Sequence, residues 1–182
     1  MRIDVDAHVD ETDATWDFLA PDEVRFRPLT FDPGMPTLPR DTRPHRLWLV
    51  DGQLEARRWR DDQRTGTVQA TRELTDVDAR MRHMDELRID IQVLYPTLFL
   101  SAVTARPEVE LALMKSYNRW ISAATEQSHG RLRWVALLPL LSMDKAVEEL
   151  RWAKDHGACG ALQEGDRVRG PAGQRPVLLP AV

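Results

Sequence analysis

The sequence predicts an α/β protein: a partial (β/α)8 TIM barrel of about four N-terminal βα units, with a long insert after strand one. Three observations lead there. Helix-like and strand-like segments alternate from residue 75 to residue 165, an order that implies parallel strands joined by right-handed crossovers. No G-x-G-x-x-G or G-x-x-x-x-G-K-[ST] turn occurs in the chain, so it lacks the phosphate turn that usually follows strand one of an open doubly wound sheet. Strand one ends instead in a polar cluster and enters a long insert, as connections at the site-bearing face of a barrel do. A complete barrel takes roughly 250 residues. Of the 182 residues here, about 120 remain without the insert, enough for four βα units of about 30 each.

The elements follow in chain order. From Arg2 to Val9, Ile3, Val5, Ala7 and Val9 alternate with Asp4, Asp6 and His8. A period of two puts the polar set on one face of a strand. Residues 12–74 form the insert, with six prolines between Pro21 and Pro44. Within it, Leu47–Val50 and Gln53–Glu55 flank Asp51-Gly52, the dipeptide of a type I′ hairpin turn. Thr75 is the expected N-cap of a helix carrying Val77, Met81, Met84 and Leu87 on one face and ending near Arg88. Ile89–Tyr95 reads as strand two, closed by Pro96. Pro107 suits the first position of a helix running to about Ser128, with Gly130 beyond its end. Arg133–Leu140 reads as strand three. Ser142 is expected to cap a helix that buries Ala146, Val147, Leu150 and Ala153, and His156-Gly157 stops it. Ala158–Gln163 is strand four. The domain is therefore residues 1–165, followed by an irregular tail at 166–182.

Composition removes several function classes. Twenty-five basic and 29 acidic residues leave a net charge of −4, which argues against nucleic acid as a partner, because phosphate contacts need a basic surface. Arg57-Arg58-Trp59-Arg60 is followed at once by Asp61 and Asp62 and reads as a solvated loop. No run approaches the ~18 apolar residues of a membrane helix. The N-terminus lacks the apolar stretch of a secretory signal, so the expected setting is cytoplasmic, with no membrane partner. The single cysteine, Cys159, rules out an internal disulfide framework and a cysteine-based zinc cluster within one chain. It is expected to be a buried small residue.

Asp6 and His8 carry the chemistry. One residue apart on a strand, both side chains point the same way, and on strand one of a barrel they point into its C-terminal mouth. A carboxylate and an imidazole converging there suit a divalent metal. An exposed strand face carrying an ordinary Asp and His is the other reading of the same pair. Glu11, three residues on, could orient a ligand or belong to a loop. Tyr95 and Thr97, at the end of strand two, and Glu164, after strand four, could line a pocket. His83 falls on a helix surface, His129 and His156 at helix C-termini where their charge complements the dipole, and His45 in the Pro-rich insert. Trp16, Trp48 and Trp59 could wall the site or pack a small core within the insert.

These segments resemble the amidohydrolase-related metal-dependent barrel family that includes aminocarboxymuconate-semialdehyde decarboxylase and gamma-resorcylate decarboxylase. Asp4-Val5-Asp6-Ala7-His8 matches its D-x-H-x-H or E-x-H type element, with Asp6 at the first ligand position and His8 at the second. The stretches TDVDARMRHMDELRIDIQVLYPTLFL (75–100), Tyr117-Asn118-Arg119-Trp120, GRLRWVALLPL (130–140) and AVEELRWAKDHGACG (146–160) resemble later parts in order and spacing. The resemblance implies a mononuclear divalent metal, zinc or else manganese. It implies hydrolysis or nonoxidative decarboxylation of a small carboxylated substrate, aromatic compounds included. The family's remaining ligands lie on later strands, which these 182 residues do not reach.

The tail, DRVRGPAGQRPVLLPAV, has no helical period, and a truncation or frame shift is the expected reason. The chain would then bind metal weakly and turn over little. Two other readings stay open. One is a noncatalytic half-barrel whose edge strands recruit a partner chain or form a homo-oligomer. The other is an open α/β module whose insert clamps a ligand.

Overall fold

The computed structural model describes residues 1–31, 47–56 and 66–162. Its centre is a four-stranded parallel sheet in the order β1 (Ile3–His8), β5 (Ile91–Tyr95), β6 (Leu132–Leu137), β7 (Ala158–Leu162). The strands are adjacent in sequence order, as in the first half of a barrel. Between β1 and β5 lie β2 (Leu29–Phe31), β3 (Leu47–Val50) and β4 (Gln53–Ala56), which form a separate antiparallel sheet. A one-turn helix α1 (Gln69–Arg72) and helix α2 (Val77–Glu86) follow. Helix α3 (Pro107–Thr125) precedes β6, and α4 (Met143–Asp155) precedes β7.

The four parallel strands and the three helical crossovers that join them agree with the expected fold; a helix after β7 would lie outside the described residues. The differences are local and have physical causes. Asp76 rather than Thr75 caps α2, because its carboxylate accepts from the Ala79 amide at 2.7 Å, while Thr75 bonds the Ala70 carbonyl through its amide and its hydroxyl. The helix ends at Glu86, and Arg88 takes a left-handed conformation with φ 56°. Strand β6 stops at Leu137, short of Pro139. Helix α3 tightens into a 3-10 turn over Glu126–Ser128 before His129 reverses the chain at φ 52°.

Helix α4 buries a narrower face than its sequence suggests. Ala146 and Ala153 are buried, but Val147 and Leu150 are exposed, so the helix meets the sheet through its small residues. Cys159 is also exposed; it is the extra residue of a register shift, with Trp134 opposite Ala158 and Val135 opposite Gly160. The hairpin is as expected: Asp51 and Gly52 hold φ values of 49° and 81°, the left-handed pair of a type I′ turn.

The core lies between the sheet and its helices. Leu94, Trp134 and Ala136 face Leu113, Tyr117 and Ile121, all buried. Asn118 is buried within it. Its Oδ1 accepts from the Leu137 amide, and its Nδ2 donates to the Leu137 carbonyl and to Glu149, each at 2.9 Å. Arg119 also pairs with Glu149. These bonds hold the C-terminal end of β6 in place. Trp16 and Trp48 are each 1% exposed and meet edge to face at 5.8 Å. Trp16 also meets Phe99 at 6.2 Å. These two tryptophans therefore bind the insert to the barrel-like body as core. Trp59, His45, the Arg57–Asp62 stretch, Glu164 and the tail lie outside the described residues.

Candidate metal centre

The site begins with an irregularity in β1. Asp4 pairs with Gln92 and Ala7 with Leu94, so three residue steps on β1 oppose two on β5. This is a bulge of one extra residue, and it breaks the strict alternation. Asp4 accepts from Gln92 Nε2 at 3.0 Å, on the sheet face that α2 covers. His8 stands beside Tyr95, ring centroids 6.0 Å apart. Gln92 and Tyr95 are three residues apart on one strand and so point to opposite faces. The expectation that Asp4 shares a face with Asp6 and His8 is therefore corrected: the bulge turns Asp4 to the helix side.

Asp6 and His8 do come together. His8 Nε2 lies 3.6 Å from Asp6 Oδ1, with the Asp6 side chain 88% exposed and that of His8 18%. The other ring nitrogen, Nδ1, is 2.8 Å from the Pro96 carbonyl oxygen. A carbonyl only accepts, so Nδ1 carries the proton and donates, and in the neutral ring the Nε2 lone pair faces Asp6. Two donors each about 2.0–2.2 Å from a tetrahedral zinc ion stand roughly 3.3–3.5 Å apart. The pair fits two corners of such a site with little movement. Among the described residues, no group of three or more His, Cys, Asp or Glu side chains is placed to hold a metal.

Behind the pair, the ends of β1 and β5 are tied together. The Val9 amide donates to the Tyr95 carbonyl at 2.9 Å, and Thr97 Oγ1 donates to the Val9 carbonyl at 2.6 Å. Glu11, 3% exposed, accepts from the amides of Thr97 at 2.9 Å and Leu98 at 3.0 Å. Burial pushes its carboxyl pKa up to about 7; the backbone hydrogen bonds oppose this and the nearby Asp10 charge adds to it. Glu11 and Thr97 therefore fix the loop whose Pro96 carbonyl orients His8. Tyr95 is half-buried beside that ring.

Two buried arginines, which the sequence reading passed over, complete the support. Arg80 donates to Gln92 at 3.0 Å, to the His8 carbonyl at 3.3 Å and to the Thr71 carbonyl at 3.1 Å. Arg72 pairs with Asp10 at 3.1 Å. Arg80 was legible in principle, since it lies four residues before Met84 on the face that α2 buries. His129 and His156 follow helices and precede strands, at the end of the sheet away from His8; His156 stacks on Trp152 at 4.0 Å. Of two clefts of about 720 Å³, one lies between α3 and α4 and the other along α4 beside residues 102–105, and neither includes Asp6 or His8.

No protein-family model matches the chain, and none of the curated proteins matches it at a significant level. Solved structures do match. An amidohydrolase from Mycobacterium avium subsp. paratuberculosis K-10 superposes with a TM-score of 0.63 at 19% identity, over 86% of this chain and 47% of that one. A 2,6-dihydroxybenzoate decarboxylase from Rhizobium gives a TM-score of 0.47 at 19% identity, over 97% of this chain and 42% of that one. A 2,6-dihydroxybenzoate decarboxylase complexed with 2,6-dihydroxybenzoate is 30% identical, with a TM-score of 0.41, over 55% of this chain and 31% of that one. The chain thus spans less than half the length of each of these structures. The first likeness establishes the fold, a partial TIM-barrel-like α/β arrangement. Among the described residues, no helix is long and apolar enough to cross a membrane.

Proposed function

We propose that the chain is the metal-binding first portion of an amidohydrolase-related enzyme, a hydrolase or nonoxidative decarboxylase of small carboxylated substrates, aromatic ones included. The observation that carries this reading is the Asp6–His8 pair, 3.6 Å apart with Nδ1 of His8 engaged by Pro96. A carboxylate oxygen and an oriented imidazole suit zinc, and manganese as well. A bound divalent ion would polarise a carbonyl or carboxylate, or activate water, at the mouth. The chain's own residues prepare that position. Asp6 supplies negative charge, and His8 presents one lone pair, its ring held by the Pro96 carbonyl. Glu11 and Thr97 keep that carbonyl in place, and Tyr95 borders the imidazole. Residues 163–182, Glu164 among them, stand outside this account.

The test is divalent metal per chain, measured after dialysis for the natural sequence and for Asp6→Asn and His8→Gln. Zinc or manganese retained by the natural sequence and lost from both variants supports the reading. Equal metal content in all three overturns it. Release of carbon dioxide from small aromatic carboxylates, followed in parallel, separates decarboxylation from hydrolysis.

A further inference from the structure

A third cleft, of about 390 Å³, opens where the insert meets the start of α3. Its apolar wall is Phe26, Leu29 and Leu49. Of the described residues that line it, three are arginines (Arg25, Arg27 and Arg106) and one, Asp51, is acidic, in a chain of net charge −4. Arg106 stands at the N-cap of α3, and the insert follows β1. The cleft therefore lies on the side of the sheet where the parallel strands end, but neither Asp6 nor His8 lines it.

The three arginines are not equivalent. Arg27 is pinned, donating to the Asp13 carbonyl at 2.7 Å and to Asp17 at 2.9 Å. Arg106 is shared between Asp51 and Glu108, each at 2.8 Å. Arg25 lies over Phe26, its guanidinium carbon 4.7 Å from the ring centroid. Among the described residues it has no hydrogen bond or ion pair, so its N–H groups are free for a carboxylate. The guanidinium carbon of Arg106 is 5.6 Å from the same ring, so Phe26 gathers two cations at one place. An apolar row runs away from them. Leu29 pairs with Leu49 and Leu49 with Leu54 across the antiparallel sheet. Leu29 is 57% exposed and Leu54 54%, whereas Trp48 and Val50 on the opposite face are buried.

We propose that this cleft binds a small aromatic carboxylate at a site separate from the metal centre. The carboxylate takes the free N–H groups of Arg25, with the Arg106 charge beside it, and the ring lies against Leu29 and Leu49. The site stands independently of the metal reading of Asp6 and His8. Three features select this ligand. The volume falls within the roughly 300–1,000 Å³ of small-molecule pockets, and an apolar wall with a few charged groups is their usual lining. The excess of arginine over acid selects an anion. A single unpaired guanidinium beside leucines suits a monoanion with an apolar body, because inorganic phosphate would leave the leucines in water.

Benzoate titrated into the full chain with chelator present, and followed by backbone amide NMR shifts, tests this. The chelator removes any metal that could hold benzoate at Asp6 and His8. The expected result is saturable binding with the largest shifts at Leu29, Leu49 and Gly52. Arg25→Gln should weaken it at least about tenfold, the loss of a charge-assisted hydrogen bond. Leu29→Ser should weaken it about fivefold by removing apolar contact. Both side chains are exposed, so both variants should keep the fold, which the amide spectrum itself reports. Benzyl alcohol, which keeps the ring without the charge, and inorganic phosphate, which keeps charge without the ring, should each bind at least about tenfold more weakly than benzoate. His8→Gln should bind benzoate as the natural sequence does. Absence of saturable binding overturns the site, as does binding unchanged in Arg25→Gln or lost in His8→Gln. Phosphate binding as tight as that of benzoate, or an unchanged affinity in Leu29→Ser, overturns the ligand class.

Discussion

The Nδ1 atom of His8 lies 2.8 Å from the carbonyl oxygen of Pro96, and this contact fixes which face of the imidazole is free for a ligand. The carbonyl is held in turn by the loop that follows it, through Thr97 Oγ1 on the Val9 carbonyl. Thr97→Val removes that hydroxyl and leaves the shape nearly unchanged. We expect metal affinity to fall about tenfold, in line with other losses of a group that orients a ligand. Calorimetric titration with zinc checks it, and an unchanged affinity would mean that the histidine is held by something else.

Glu11 makes stability depend on pH. Its carboxyl is raised from 4.5 to about 7 by burial, so the folded chain holds a proton that the unfolded chain releases. The sign follows: this contribution is fully present below the unfolded value and is lost as pH rises through about 7. Glu11→Gln cannot titrate. The stability of the natural sequence relative to that variant should drop by about 2–3 kcal/mol between pH 5 and pH 8. Urea unfolding of both proteins across that range measures it. A constant difference would show that Glu11 titrates as an ordinary carboxylate.

Asn118 is the clamp on β6. Replacing it with leucine strands the Leu137 amide and carbonyl and removes a donor from buried Glu149. The expected cost is about 3 kcal/mol, because several buried polar groups lose partners at once. Denaturant unfolding at neutral pH reads this directly, and a cost under about 1 kcal/mol would show that water replaces the amide.

Gly52 tests the hairpin. A Cβ there meets nothing within 4 Å, yet the residue sits at φ +81°. Gly52→Ala should therefore destabilise by about 1 kcal/mol, through backbone conformation alone. Gly52→Asn, a residue that tolerates the left-handed region, should recover most of it. Thermal unfolding of the two variants makes the comparison.

Cys159 is exposed on β7, with its thiol pKa raised by partial burial. A thiol reagent should modify it in the native protein, slowly at pH 7 and faster as pH rises. Modification only under denaturing conditions would place it inside.

The strand and helix periods made the order of elements legible, and the Asp-Gly dipeptide marked the hairpin. The Asp6–His8 pairing was legible too, because a single intervening residue keeps two side chains on one face whether or not a bulge precedes them. What alternation could not reveal was the bulge itself, so Asp4 was grouped with Asp6. Val147 and Leu150 were placed in the core because hydrophobic periodicity marks an apolar face without saying what covers it. Cys159 is exposed where burial is expected, and it sits at a register shift between β6 and β7 that strand alternation does not mark. Arg80 was overlooked because a charged residue in an apolar stripe looks like an exception until its acceptors, Gln92 and the carbonyls of His8 and Thr71, are seen together.

At the irregular step between Asp4 and Ala7, two chemically alike residues have unlike duties. One braces the wall through Gln92, and the other looks into the open mouth. Shortening the strand by Val5 would leave two steps against two, so a regular pleat would keep Asp4 opposite Gln92 and Asp6 on the face that carries His8. The protein would then keep both the brace on Gln92 and the acidic group at the entrance, so what the extra residue adds is local twist at the rim and not the division of duties itself.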